Sequence, residues 1–97
     1  MTKLISVKPS DRTGKKYVAE FLMSNGRKRH THFGATGYTD YTKGASDETR
    51  TAYRARHKKD LETNDPTKAG FLSYFILWGD SRSVPTNVSA FKQRFGL

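Results

Sequence analysis

The chain has 97 residues, which is enough for one domain with one modest hydrophobic core. Eighteen lysine and arginine residues against nine aspartate and glutamate residues give a formal net charge of +9 at pH 7, which favours an acidic partner. The lack of cysteine excludes disulfides and thiol chemistry, and the absence of a long apolar run predicts a protein that is neither secreted nor membrane-spanning.

Two or three β-strands are predicted in the first third of the chain. A β-favouring run, Leu4 to Val7, ends at Pro9, so residues 1–15 form either an edge strand or a flexible arm. Alternating β-branched and aromatic residues from Lys16 to Met23 predict the next strand. Asn25-Gly26 follows, the dipeptide typical of a two-residue type I′ hairpin turn.

A two-residue turn also fixes the pairing of the two hairpin strands. Counting outward from it places Phe21 opposite His30 and Ala19 opposite His32. Because paired residues share a face of the sheet, this register predicts that both histidines lie on the same side as Phe21 and Ala19.

An irregular loop, Gly34 to Gly44, is expected next, with its tyrosine rings packed into an aromatic core. Ser46 then resembles a helix N-cap, and acidic residues follow it in the first turn. A first stripe at four-residue spacing is expected to face the core and consists of Tyr53, His57 and Leu61. A second stripe, about 100° around the helix, is expected to form a basic outer face and consists of Arg50, Arg54 and Lys58.

Two more helices are predicted in the last third. Asp65-Pro66 is typical of a helix start, and the apolar run Ala69 to Trp78 favours a buried helix, although a strand remains open at this point. One face of the last segment is apolar, with Val84, Val88, Phe91 and Phe95. The expected fold is α+β: a small antiparallel hairpin or three-stranded sheet followed by about three packed α-helices in a single domain over residues 1–97.

Basic residues concentrate at the hairpin tip and on the first helix, and we expect them to form one continuous positive surface. Lysine and arginine bind phosphates and carboxylates, so this surface is expected to bind DNA or an acidic protein surface. The alternative is a solvated face that serves only solubility. The residues expected to bind are Arg27, Lys28, Arg29, Arg50, Arg54, Arg56, Lys58 and Lys59.

Three histidines raise the alternative of a zinc site, because His30 and His32 on one strand face and His57 from a packed helix supply three nitrogen ligands. No cysteine or carboxylate stands at a recognised ligand spacing, so ordinary packing or surface histidines are favoured. We expect no metal and no cofactor.

No known catalytic motif is present, and we expect a protein that is not an enzyme. The alternative is a nuclease-like arrangement in which Tyr38, Asp40, Tyr41 and His57 surround a phosphodiester, with Arg54 and Arg56 as charge stabilisers. Gly34 to Gly37 also permits a backbone nest for an anion, although ordinary turn chemistry explains these glycines equally well. Neither pattern is specific enough to carry a function.

Three long segments carry a family resemblance: HFGATGYTDYT at 32–42, YRARHK at 53–58 and TKAGFLSYFILW at 67–78. Together with the surrounding residues 16–95, they resemble a family of small basic uncharacterised proteins of large nucleocytoplasmic DNA viruses, the giant viruses. The resemblance implies a viral source and a place in the virion or the viral factory. The motif residues, with a structural or a binding role, are His32, Gly34, Gly37, Tyr38, Asp40, Tyr41, Tyr53 and His57.

The charge and the resemblance together predict a non-enzymatic viral structural or accessory protein. The expected form is a small virion component of minor-capsid type that docks onto acidic capsid-protein surfaces or packaged DNA, in the virion or in the host cytoplasm or nucleus. The alternative is a nucleic-acid-binding protein that acts in viral replication, transcription or packaging, and a nuclease is a distant third.

Overall fold

The computed structural model describes residues 1–97 and contains two layers, an antiparallel sheet and a set of helices packed on one of its faces. The strands are β1 (Lys3–Pro9), β2 (Lys15–Leu22) and β3 (Lys28–Ala35), in the order β1-β2-β3. The N-terminal residues therefore form an edge strand rather than an arm. The predicted α+β class with a three-stranded sheet is confirmed.

The helical layer consists of three α-helices, α1 (Asp47–His57), α2 (Ala69–Leu72) and α3 (Val84–Phe95). A π-helical segment, Ser73–Leu77, continues α2, and its last turn is closed by the Trp78 N–H, which donates to the Ser73 carbonyl. Two 3₁₀ segments, Tyr41–Lys43 and Lys58–Thr63, lie before and after α1. No helix of the fold combines the length and the apolar character needed to cross a bilayer.

The hairpin turn between β2 and β3 has three residues, so the predicted two-residue turn is wrong. The Met23 N–H donates to the Arg27 carbonyl at 2.8 Å, and the Gly26 N–H donates to the Met23 carbonyl at 2.9 Å. Gly26 has φ +83°, the left-handed conformation that closes a type I turn with a bulge. Asn-Gly suits either turn, and here the glycine occupies the third loop position.

The longer turn shifts the register by one residue. Phe21 pairs with Arg29 and Ala19 with Thr31, so the predicted pairings of these two residues with histidines are wrong. Because a one-residue shift moves every side chain to the other face, His30 and His32 lie on the sheet face that points away from the helices. The core face receives Phe33 instead.

Helix α1 begins as predicted, because the Ser46 Oγ accepts a hydrogen bond from the Thr49 N–H at 3.1 Å. The helix ends at His57, and the last residue of the expected core-facing stripe, Leu61, lies in the following 3₁₀ segment. Both Tyr53 and Leu61 pack against the core while remaining half-buried. Helix α1 therefore covers the rim of the core rather than its centre.

Asp65-Pro66 does not start a helix, and this prediction is wrong. The Asp65 Oδ1 accepts hydrogen bonds from both the N–H and the hydroxyl of Thr67, at 2.9 and 2.6 Å, which closes a turn two residues later. Helix α2 begins at Ala69. The apolar run is a buried helix as predicted, and the strand alternative is wrong.

The core is aromatic-rich and is built from the sheet, the α2 segment and α3. Its buried hydrophobic residues are Leu4, Ala19, Phe21, Phe33, Ala45, Phe71, Leu72, Ile76, Leu77, Trp78 and Phe91. The predicted apolar face of α3 is confirmed, since Val84, Val88 and Phe95 pack against the same cluster as Phe91. The expected core position of Tyr38 is wrong: its loop turns outward and leaves the residue 75% exposed.

Gly34 allows the sheet to approach the helical layer closely. Its φ is +79°, and a Cβ added there would lie 2.7 Å from the Leu77 Cδ1. A larger residue would be strained in its backbone and would also push against the buried helix. The sequence motif around Gly34 therefore records a packing requirement.

Candidate anionic-partner interface and motif cavity

Arg54, predicted to face solvent, binds the end of the buried helical segment. Its Nη1 donates to the carbonyl oxygens of Tyr74 and Trp78, at 3.2 and 2.7 Å, and its guanidinium lies 4.1 Å from the centre of the Tyr74 ring. Carbonyls at the C-terminal end of a helix lack intrahelical donors and attract cations. Arg54 therefore stabilises the fold.

Arg50 is engaged in the same region. Its Nε donates to the Gly79 carbonyl at 2.8 Å, and its Nη2 lies 2.7 Å from the Asp80 Oδ1. The basic outer stripe predicted from four-residue spacing is thus wrong in its geometry for Arg50 and Arg54. Of that stripe, only Lys58 is exposed without a polar partner.

Tyr41 and Arg82 tie the loop after β3 to the end of the helical layer. Arg82 donates to the Tyr41 and Ala45 carbonyls, and its guanidinium lies 4.1 Å from the centre of the Tyr41 ring. The Tyr41 hydroxyl donates to the Asp47 Oδ1 at 2.7 Å, and this bond raises the pKa of Tyr41 above its ordinary value. Among the motif residues, Tyr41 therefore has a structural role.

Asp40 is the buried anchor of the same loop. Its Oδ2 lies 2.6 Å from the Nζ of Lys16, and the two side chains are only 1% and 12% exposed. Its Oδ1 accepts hydrogen bonds from the Thr42 hydroxyl and the Lys43 N–H. Both of its carboxylate oxygens are bonded to loop or strand partners, so Asp40 holds the loop in place.

Most of the positive charge has no partner within the fold. Four cations pair with carboxylates, namely Lys16, Lys28, Arg29 and Arg50, and two others, Arg54 and Arg82, donate to carbonyls. The other twelve of the eighteen have neither kind of partner: Lys3, Lys8, Arg12, Lys15, Arg27, Lys43, Arg56, Lys58, Lys59, Lys68, Lys92 and Arg94.

A shallow basic groove runs along the free edge of β3, with a volume of about 360 Å³. We call it the β3 groove; it is lined by Arg12, Arg29, His30, Thr31, His32, Thr67, Lys68 and Ala69. None of these residues is acidic. Three cations and two histidines thus face the same open space. Carboxylates outside the lining lie near two of them, Asp65 at 4.0 Å from Arg29 and Glu20 at 3.5 Å from His30, so Arg12 and Lys68 are the cations without an acidic partner.

Three side-chain bonds assemble the β3 groove from distant segments. The Thr31 hydroxyl donates to the Thr67 carbonyl at 2.8 Å, and Arg29 donates to the Thr67 hydroxyl at 2.9 Å. His32 bonds Ser10, whose hydroxyl also accepts from the Arg12 N–H. Arg12 and Lys68 were not predicted as site residues, because no sequence pattern links their two segments.

The hairpin tip and the helix α1 cation Arg56 lie at opposite ends of the sheet. Arg56 lies in the same cavity as Lys15 and Ala35, which pair at one end of the sheet. Arg27 directly precedes Lys28, which pairs with Leu22 at the opposite end of the sheet. The two ends are separated by the length of β2, seven residue steps of about 3.3 Å each, or about 23 Å. The hairpin tip lies next to the β3 groove, because Arg29 and His30, which line the groove, directly follow Arg27 and Lys28 in the chain.

Five of the eight motif residues converge on a second cavity, of about 650 Å³, between the end of β3 and helix α1. We call it the motif cavity, and its motif residues are Gly34, Tyr38, Asp40, Tyr53 and His57. His32, Gly37 and Tyr41 lie outside it. The sequence motif therefore describes one region of the fold, although the predicted binding cations, Arg56 excepted, do not line it.

Three stacked rings form part of the wall of the motif cavity. Tyr53 lies between His57 and Trp78, with ring centres 4.1 and 4.3 Å away. Burial raises the pKa of Tyr53, and the nearby Asp60 carboxylate raises it further. The Asp60 Oδ2 lies 3.1 Å from the His57 Nδ1 and fixes the orientation of that ring.

Neither alternative chemistry from the sequence is assembled. His57 lies in the motif cavity on the helical side of the sheet, whereas His30 and His32 lie on the other face, so the three-histidine zinc site is wrong. No cluster of three or more histidine, cysteine, aspartate or glutamate residues is arranged to hold a metal ion. The nuclease-like set is also divided, because Tyr41 and Arg54 lie outside the cavity that holds the other four residues.

Comparison with known proteins shows which family the chain belongs to. Residues 5–57, more than half of it, match the model of a "Family of unknown function (DUF5754)". The "Uncharacterized protein L851" of Acanthamoeba polyphaga mimivirus is 35% identical over 80 residues, which cover 76% of this chain and 80% of the relative. No solved structure matches. The expected kinship with giant-virus proteins is confirmed, and the chain belongs to the family of unknown function DUF5754.

Proposed function

We propose that this protein is a non-enzymatic, virus-encoded accessory protein that docks onto an acidic partner through the β3 groove and the adjoining hairpin tip. The observation that carries the proposal is the composition of the groove: no acidic residue lines it, and two of its three cations, Arg12 and Lys68, have no acidic partner. Unbalanced charge gathered in one concave place favours an anionic partner, because a charged groove concentrates its field on whatever enters it.

The finer form of the proposal is a small virion component of minor-capsid type. The mimivirus relative supports a viral role, and the net charge of +9 suits a protein that lies against acidic capsid surfaces or packaged DNA. Arg27, exposed and without a partner, and Lys28, exposed and only 3.6 Å from Glu20, extend the groove at the hairpin tip.

Zero-length coupling of lysine amines to carboxylates in intact purified particles tests this proposal. Coupling is expected at Lys68 and Lys28, to acidic residues of a neighbouring capsid protein. Lys43 and Lys92 are exposed lysines outside the β3 groove and serve as controls with little coupling. Absence of the protein from the particles rejects the virion role, and coupling spread evenly over all four lysines rejects the docking surface.

A nucleic-acid-binding protein is the second candidate, favoured by the elongated basic surface formed by the groove and the tip. Arginine and lysine release counterions when they bind phosphates, so binding weakens with salt by a slope of about −0.9 per phosphate. If Arg12, Arg27, Lys28 and Lys68 each neutralise one phosphate, the slope of log affinity against log salt is roughly −3 to −4. A duplex-DNA titration at several salt concentrations measures it, and no binding at physiological salt rejects this candidate.

A further inference from the structure

The motif cavity is distinct from the β3 groove and has the form of a small-molecule site. Its volume of about 650 Å³ falls within the range of roughly 300–1,000 Å³ found for ligand pockets. Buried side chains of Phe33, Leu77 and Trp78 line it. Because these three side chains are nearly inaccessible, they form the base of the cavity, and its accessible wall consists of other lining residues, among them Tyr38, Tyr53 and His57.

The ring stack on its wall ends at His57. Tyr53 is covered on both faces by its two neighbours, but no aromatic ring lies against the outer side of His57, whose side chain is 38% exposed. A planar ring of a ligand can continue this stack, since offset stacking favours ring centres about 4.5–7 Å apart.

The lining of the motif cavity has more positively than negatively charged side chains. Both of its carboxylates are occupied, Asp40 by Lys16 and Asp60 by His57. Lys15 and Arg56 are exposed, line the cavity and have no acidic partner. An anionic group at the mouth therefore meets two free cations.

We propose that the motif cavity binds a phosphorylated aromatic small molecule of about the size of a mononucleotide. The ring stacks on the outer side of His57, and Lys15 and Arg56 hold the phosphate with charge-assisted hydrogen bonds. The five motif residues of the cavity shape this site: Gly34 and Asp40 position its β3 side, and Tyr38, Tyr53 and His57 supply rings. This binding is independent of the docking proposed for the β3 groove.

Isothermal titration calorimetry measures the binding directly, because Trp78 is nearly buried and is separated from the outer side of His57 by Tyr53. The probes are AMP, phenyl phosphate, adenosine and inorganic phosphate. AMP or phenyl phosphate is expected to give a saturable binding isotherm. Adenosine lacks the phosphate, and inorganic phosphate lacks the aromatic ring. Each is expected to bind at least about tenfold more weakly than AMP, which corresponds to a loss of about 1.4 kcal/mol of binding free energy. Saturation by phosphate alone at equal affinity overturns the proposal, as does the absence of any response to AMP and phenyl phosphate.

Charge-reversal variants locate the binding. Arg56→Glu and Lys15→Glu are expected to weaken AMP or phenyl phosphate about tenfold each. Lys92→Glu and Lys8→Glu carry the same change of charge at exposed positions outside the cavity and are expected to leave the affinity within about twofold. Equal weakening by both pairs overturns the site. Circular dichroism of each variant establishes that it is folded before it is titrated.

Discussion

The guanidinium of Arg54 donates a 2.7 Å hydrogen bond to the carbonyl oxygen of Trp78 and thereby closes the end of the buried apolar helix. A second carbonyl, that of Tyr74, accepts from the same Nη1, and its ring lies beneath the guanidinium. A residue that the sequence assigned to an outer binding face is thus part of the packing between α1 and the core.

Arg54→Ala is therefore expected to destabilise the fold rather than to weaken partner binding selectively. Loss of a charged donor to two helix-end carbonyls, and of the ring contact, is expected to lower the free energy of unfolding by about 2–3 kcal/mol. Lys58→Ala, four residues later at an exposed position, is expected to change it by less than about 0.5 kcal/mol. Urea denaturation measures the free energy of unfolding of both variants. A loss for Arg54→Ala as small as that for Lys58→Ala contradicts the structural role of Arg54.

Gly34→Ala tests the close contact between sheet and helix. Gly37→Ala is the matched control, because Gly37 has φ +86° but open space where its Cβ would stand. We expect the backbone conformation alone to lower the free energy of unfolding of the control by about 1–2 kcal/mol. For Gly34→Ala we expect a further loss of about 1–3 kcal/mol, because the new methyl group clashes with Leu77. Equal losses in urea denaturation contradict the packing requirement.

The Lys16–Asp40 pair is expected to be strongly coupled because both side chains are nearly inaccessible. Breaking a buried ion pair from one side costs about 3–5 kcal/mol, so Asp40→Ala is expected to be severely destabilising. In a double-mutant cycle of unfolding free energies, the coupling between the two residues should exceed about 1 kcal/mol. The exposed pair Lys28–Glu20, 3.6 Å apart, is the control and should show less than about 0.5 kcal/mol. Coupling of the same size in both pairs contradicts the anchoring role of Asp40.

Asp65 gives the fold a predictable pH dependence. Hydrogen bonds from Thr67 hold the pKa of Asp65 below the ordinary value of 3.8. A carboxyl group whose pKa is lower in the folded than in the unfolded state stabilises the fold above the unfolded value, and this contribution disappears as the pH falls through the folded pKa.

Asp65→Ala is accordingly expected to be less stable than the parent protein at neutral pH, and the difference is expected to narrow as the pH falls below about 4. Asp11→Ala removes an exposed carboxylate with no partner and is the control. Urea denaturation from neutral to acidic pH measures both. A difference for Asp65→Ala that is constant over this range contradicts the role of its ionised form.

Local signals in the sequence predicted the parts of the fold that depend on neighbouring residues. The Ser46 cap, the buried apolar helix and the apolar face of α3 all follow from side chains within a few positions of each other. The hairpin register does not, because Asn25-Gly26 fits turns of two or three residues. The longer turn places Phe33 in the core and Thr31 against Thr67, contacts between distant residues, and it moves two histidines to the other face.

The sites were harder to predict than the fold because they depend on long-range contacts. Spacing on α1 placed Arg50 and Arg54 on one stripe correctly, but it could not show that helix-end carbonyls lie opposite that stripe. Arg12 and Lys68 both line the β3 groove because the turn at Thr67 packs against β3, which is a contact between residues far apart in the sequence. The family motif was the better guide, since five of its residues share the motif cavity.

The most direct measurement of the docking surface compares two double variants with the same net charge. Arg12→Glu/Lys68→Glu reverses charge in the β3 groove, and Lys43→Glu/Lys92→Glu reverses it at exposed positions elsewhere. Affinity for poly-glutamate and for duplex DNA is measured for each folded variant at physiological salt. We expect the groove variant to lose at least about tenfold in affinity for the polyanion that the parent protein binds, and the control to lose much less. Equal losses in the two variants, or a parent protein that binds neither polyanion, would contradict an acidic partner in the β3 groove.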